Sequence, residues 1–170
     1  MTKLTSSKIR PCLWFDTQGE EAANFYTSVF ENSSITSVTR RGETAPGEAG
    51  TVLTVEFEIG GQQMLALNGG PEFKFTEAIS FQVYCETQEE VDHLWSTLSA
   101  GGEQGPCGWL KDRFGLSWQI VPTVLPQLLS DPDQARVDRA MTAMLGMGKL
   151  EIQALLDAAD GAASANPVGA

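Results

Sequence analysis

LWFDTQ at residues 13–18 and VYCETQ at residues 83–88 decide the fold. The first is followed, after Gly19, by Glu20-Glu21-Ala22-Ala23-Asn24-Phe25-Tyr26-Thr27-Ser28-Val29-Phe30. The second runs straight into Glu89-Glu90-Val91-Asp92-His93-Leu94-Trp95-Ser96-Thr97-Leu98-Ser99. Apolar positions match, TQ meets TQ, EE meets EE, and an aromatic recurs at Tyr26 and Trp95. The offset is 70 residues before Gly19 and 69 after it, so one unit is repeated along the chain.

Each copy reads as strand, cap, helix. Ile9 to Phe15 and Ile79 to Cys85 are short apolar runs, ending at Asp16 and Glu86. Thr17 and Thr87 are placed to cap the helices that follow, with carboxylates in the first turn where the helix dipole favours them. Ala22, Phe25, Tyr26, Val29 and Phe30 in one helix, and Val91, Leu94, Trp95 and Leu98 in the other, recur at spacings of three and four. After the first helix, Ser34–Arg40 and Thr51–Ile59 read as strands around a polar loop at Gly42–Gly50. Gly60-Gly61 is a hairpin turn, and Gln63–Leu67 returns from it. After the second helix, Gly101-Gly102 is a stop, Glu103–Cys107 and Trp109–Lys111 are short candidate strands, and Leu116–Pro122 is the last. The predicted class is α+β, with two βαβββ modules at about 8–68 and 78–123 in one domain, 8–123. A helical extension follows at 124–160: a short apolar turn at Val124–Leu129, a helix begun by Asp131-Pro132-Asp133, an interruption at Gly146–Gly148, and a helix over Lys149–Ala159. The tail, 161–170, reads as disordered.

Composition narrows the function. In 170 residues there are 11 basic and 22 acidic side chains, a formal charge of −11, which argues against a nucleic-acid partner. The imbalance is even, with 16 acids and 8 bases over residues 1–130 and 6 and 3 over 131–170, so there is no charged arm. One histidine excludes any site needing two imidazoles. The opening MTKLTSSKIR has no apolar leader core, and no run approaches the roughly 18 apolar residues of a membrane span, so a cytoplasmic protein without membrane contacts is expected. Cys12, Cys85 and Cys107 lack CxxC spacing and read as small buried thiols.

IRPCLWFD, EEAANFYTSVF, MLALNGGPEFKF, AISFQVYCETQEEVD and GPCGWLKDRFGLSWQIVPT resemble the vicinal oxygen chelate superfamily of glyoxalases, extradiol dioxygenases and bleomycin- and fosfomycin-resistance proteins. Within it they look like the PhnB-like branch named "3-demethylubiquinone-9 3-methyltransferase-like". The resemblance spans about residues 8–157 and extends to the LSDPD start and Met-rich helix after it. It implies a cup between two modules, a homodimer, and a divalent metal held by one residue from each of the first, fourth, fifth and eighth strands. Those positions fall near Arg10 or Pro11, at Leu65, at Ser80 and at Gln119. Pro and Leu have no ligand atom and Ser is a poor ligand, so no metal and no cofactor is expected. His93, on the second helix, is expected in solvent. Nor does methyl transfer suit the chain, because GETAPGEAG (42–50) joins two β segments and opens no helix.

A ligand in the cup would meet aromatics and a few aimed polar groups. The candidates are Trp14, Asn68, Lys74, Phe75, Ser80, Gln82, Trp109, Lys111, Arg113 and Gln119. Asn68 precedes the sharp turn at Gly69-Gly70-Pro71, and Phe73-Lys74-Phe75 either lids the cup or packs between modules. Ser80 and Gln82 alternate with Phe81 and Val83, making one strand face polar. Trp109, Lys111 and Arg113 suit a planar or anionic ligand, while Asp112 could equally tie Arg113 into a turn. Cys107 has no base nearby, and Trp14 lines the cup or packs under a helix. The expected function is small-molecule binding without the family metal. The alternative is a lyase, isomerase or dioxygenase-type enzyme with an altered metal site.

Overall fold

The computed structural model describes residues 9–162. Part of the predicted disordered tail, from residue 163 on, and the opening eight residues lie outside that range. The chain divides into two compact units, one ending at Phe75 and the other beginning at Thr76.

In the first unit the order is β1 (Cys12–Phe15), α1 (Gly19–Val29), β2 (Ser34–Arg40), β3 (Val52–Ile59) and β4 (Gln62–Asn68). The sheet order is β1-β4-β3-β2, with β1 parallel to β4 and the other pairs antiparallel. Strand alternation sends Leu13, Phe15, Val55, Phe57, Met64 and Ala66 to one face, all buried. α1 covers that face with Ala22, Ala23 and Tyr26, and the Tyr26 ring stacks on Phe57 at 6.2 Å. Small alanines let the helix lie close while the one large aromatic fills the centre.

The second unit repeats the plan with β5 (Ser80–Cys85), α2 (Gln88–Ser99), β6 (Glu103–Gln104), β7 (Trp109–Lys111) and β8 (Ser117–Pro122) in the order β5-β8-β7-β6. β5 is parallel to β8, as β1 is to β4. Cys12 pairs with Leu65 in one sheet and Gln82, 70 residues on, with Gln119 in the other; the 70-residue offset holds for the first strands and falls to 54 at their partners, because the second unit's returning segments are shorter. Phe81, Leu110, Trp118 and Ile120 share one sheet face with the buried side of α2, Val91, Trp95 and Leu98. The strand expected over Glu103–Cys107 stops at Gln104. Cys107 adopts a positive φ of 57°, and its N–H donates 2.7 Å to the carbonyl of Met147 rather than to a neighbouring strand.

Three helices follow: α3 (Val124–Leu129), α4 (Gln134–Leu145) and α5 (Ile152–Ala159). The segment expected as an apolar turn is helical, and α5 begins three residues later than the sequence suggested. Asp133 caps α4 by accepting from Ala135 N–H at 2.9 Å. Leu125, Leu128, Ala140, Leu150, Leu155 and Ala159 bury around Val121 at the end of β8, with Met144 and Met147 packed against them. No helix among the described residues is long and apolar enough to cross a membrane.

Candidate functional site

The two helices start by different means. In α2 the predicted cap is present as a full capping box, with Thr87 Oγ1 accepting from Glu90 N–H at 3.2 Å and Glu90 returning to Thr87 N–H at 3.3 Å. Thr17 does not cap α1. Instead Asn68, 49 residues away at the end of β4, accepts from Gly19 N–H at 2.7 Å and donates to the carbonyl of Val52 at 3.1 Å. Asn68 is 4% exposed and both ends of its amide are used by the backbone. Arg41 fastens the adjacent 42–50 loop by donating to Pro46, Val52 and Asn68 carbonyls.

The other candidates of the first unit are also tied to its own backbone and rings. Trp14 Nε1 donates to Gly70 O at 2.8 Å, its ring meets Phe73 edge-on at 5.0 Å, and a Cβ on Gly69 would lie 2.3 Å from that ring. Glycine is thus required at 69 by the indole. Phe75 packs edge-on against Phe15 at 5.2 Å, while Lys74 is exposed.

In the second unit the polar residues converge. Ser80, Gln82 and Tyr84 of β5 point to the sheet face opposite α2, as do Ser117 and Gln119 of β8 and Trp109 and Lys111 of β7. The register forms rows across the strands: Ser80–Ser117–Lys111–Glu103 and Gln82–Gln119–Trp109. A hydrogen-bonded chain links them. Tyr84 Oη donates to Gln82 Oε1 at 2.9 Å, Gln82 Nε2 to Gln119 Oε1 at 3.0 Å, and Gln119 Nε2 to Ser80 Oγ at 2.7 Å. The next residue on this face, Val121, is buried in the α3–α5 cluster, which bounds the polar area.

A cavity of about 380 Å³ adjoins these rows, lined by Trp109, Lys111 and Ser117 with Glu77, Glu103 and Pro106 among its other walls. Lys111 Nζ lies 2.5 Å from Glu77 and 3.8 Å from Glu103. Its hydrogen bond to Glu77 raises the ammonium above the usual lysine value and lowers the Glu77 carboxyl below the usual glutamate value. Sequence reasoning missed Glu77, Tyr84, Glu103 and Ser117. For Tyr84 and Ser117 the signal was available, since each stands two residues from a residue already selected.

Arg113 is exposed and is not among the residues lining this cavity. Asp112, 2% exposed, is a turn residue: it accepts from Phe114 N–H, Leu116 N–H and Trp118 Nε1 at 2.9, 3.0 and 2.9 Å. His93 is exposed on α2, as expected. Of the three cysteines, only Cys85 is buried, and Cys12 is exposed, against the expectation for all three. Burial, reinforced by nearby Glu90, pushes the Cys85 thiol up to about 11.

The positions to which the resemblance assigns metal ligands do not fit a metal. In the first unit Leu65 and Pro11 offer no donor atom, and Arg10 pairs with Glu56 at 3.0 Å. In the second, Ser80 Oγ accepts from Gln119 Nε2 and Gln119 Oε1 accepts from Gln82 Nε2, so neutral hydroxyl and amide groups bonded to one another stand where a metal would need anionic or imidazole ligands. Among the described residues no three His, Cys, Asp or Glu side chains come together as a metal-holding group.

The family model described as 3-demethylubiquinone-9 3-methyltransferase matches residues 7–121, ending just before α3. No curated protein matches the chain. Among solved structures, the PhnB protein of Bacillus cereus, which carries the same methyltransferase name provisionally, is 38% identical with a TM-score of 0.62, covering 68% of this chain and 99% of its own. Protein PA1353 of Pseudomonas aeruginosa shares the fold at 19% identity and a TM-score of 0.56, covering 67% of this chain and 96% of its own. So does the fosfomycin resistance protein FosX of Listeria monocytogenes, solved with Mn(II) and sulfate, at 15% identity and a TM-score of 0.50, covering 75% and 96%. The repeated βαβββ unit, the family-model match over residues 7–121 and the Bacillus cereus relative together place the chain in the 3-demethylubiquinone-9 3-methyltransferase (PhnB-like) family.

Proposed function

We propose that this protein binds a small molecule on the open face of its second unit, without a metal. One observation carries the reading: the Tyr84–Gln82–Gln119–Ser80 chain occupies a sheet face that α2 does not cover, beside a cavity. Side chains that serve only packing would be apolar there, whereas neutral amides and hydroxyls held by one another keep their remaining lone pairs and N–H groups aimed and ready. Methyl transfer is not part of the proposal. The glycines at 42–50 join β2 to β3 and open no helix on which a nucleotide-like methyl donor would rest.

The protein would be equilibrated with the low-molecular-mass fraction of a cell extract, and retained compounds identified by mass spectrometry after ultrafiltration. Retention of a compound that falls at least about tenfold in Gln82→Leu/Gln119→Leu is expected. Unchanged retention in that variant, or no retained compound, overturns the reading. Elemental analysis of protein purified without chelator should find no stoichiometric metal. One Mn, Fe, Ni or Zn per chain would instead favour a metal-dependent lyase, isomerase or dioxygenase-type activity. A homodimer in the cytoplasm completes the proposal. Solvent-facing Met141 and Leu145 on α4 and three free cysteines support it, and sedimentation and cell fractionation test it.

A further inference from the structure

Three features of the cavity are left unused by the Tyr84–Gln82–Gln119–Ser80 hydrogen-bonded chain beside it. Ser117 Oγ is fully buried and has no hydrogen-bond partner, although the residue lines the cavity. A buried hydroxyl without a partner is costly unless something arrives to meet it. Trp109 is half-buried in the wall and, with Pro106, supplies an apolar surface. At the rim, Glu77 and Glu103 stand against the single ammonium of Lys111, which leaves one negative charge over. Lys111 lies tightly on Glu77 and loosely, at 3.8 Å, on Glu103, so the Glu103 carboxylate has oxygens to offer.

We propose that this cavity takes a planar small molecule bearing a delocalised N–H-rich cation of the amidinium or guanidinium kind. Its ring lies on Trp109, its cation faces Glu103, and an N–H is accepted by Ser117 Oγ. The inference rests on the reading that the open face of the second unit binds a small molecule, and it names the class. Indole is the best aromatic surface for a cation, and a planar N–H cation is matched to a carboxylate by two parallel hydrogen bonds. An anionic ligand would meet net negative charge, since two carboxylates face the one ammonium of Lys111. The volume of about 380 Å³ accommodates one small aromatic molecule.

Benzamidine and benzoate, alike in shape and opposite in charge, are the probes, titrated by calorimetry and by ligand-observed NMR. Benzamidine is expected to bind at least about tenfold tighter than benzoate, to weaken about three- to tenfold in Glu103→Gln, and to tighten by a similar factor in Lys111→Met. Ser117→Ala should weaken benzamidine while leaving the unliganded protein as stable as before or more so, because the variant removes an orphaned hydroxyl. Tighter benzoate binding overturns the class and leaves the small-molecule reading standing. Benzamidine binding indifferent to both Glu103→Gln and Ser117→Ala overturns the site. If neither probe binds, the inference fails. The reading beneath it then stands or falls separately on whether Gln82→Leu/Gln119→Leu changes retention from extract.

Discussion

Asn68 takes a structural role that its local sequence does not announce. Its place before Gly69-Gly70-Pro71 marks it in the sequence, but nothing local says that its amide reaches back to Gly19 and across to Val52. Asn68→Ala leaves the Gly19 N–H unmet, while the Val52 carbonyl keeps Arg41 as a donor, and a loss of about 1–3 kcal/mol in urea unfolding is expected. A loss under about 0.5 kcal/mol would show that water replaces the amide. Cys85 offers a second test at this scale. With its thiol pushed up to about 11 by burial, it should resist a thiol reagent at about pH 8 until the protein unfolds, while exposed Cys12 reacts at once. That Ser80, Gln82 and Gln119 share one sheet face was legible because strand alternation is a strict period of two. Arg113, close to Trp109 and Lys111 in sequence, lies outside the residues lining the cavity because the Asp112 turn separates it from β7.

Elements were legible where the pattern is local. Both helices follow the three-and-four spacing of their apolar residues, and the Thr87 box was visible as TQEE. The Trp109–Lys111 strand was legible too, but the one read over Glu103–Cys107 was too long: between Gly105 and Gly108 the backbone turns because Met147 and Gly148, far along the chain, accept its N–H groups. An ion cluster ties α2 to the start of α5. Lys149 hydrogen-bonds Asp92, and Glu151 lies 2.9 Å from the same ammonium. The hydrogen bond from Lys149, with help from Gln88, lowers the Asp92 carboxyl below 3.8, and those to Asp92 and Glu151 raise Lys149 above 10.5. The Asp92 contribution to stability is therefore complete above the ordinary carboxyl value and lost as pH falls through the lowered one. The Lys149 contribution is complete below the ordinary lysine value and lost as pH rises through the raised one. Urea midpoints measured at about pH 6 and about pH 3 should converge in Asp92→Asn relative to the parent. An unchanged difference would mean that the pair is fully screened.

Across the whole chain, the repeat made the βαβββ plan readable before any side chain was placed, while the role of the helical extension needed three dimensions. α3–α5 bury Val121 and hold Cys107 and Gly108 through the carbonyls of Met147 and Gly148. A Cβ on Gly108 would sit 2.7 Å from the Ile120 carbonyl and 3.1 Å from Leu150. A chain ending at Thr123 should lose amide-exchange protection at Cys107 and Gly108 and in β7 and β8, with little change expected in β3 and β4. Equal protection in the shortened chain would make the extension a separate appendage. The remote cap on α1 has a further consequence, for the order of assembly. α2 carries its starting signal within three residues, so its first turn can form from local chain alone. The first turn of α1 waits for a residue 49 positions away and hence for β4 to close its loop with the first strand. Pulse-labelled refolding should find α2 amides protected before those at the start of α1, so that two copies of one ancestral plan acquire their helices at different times.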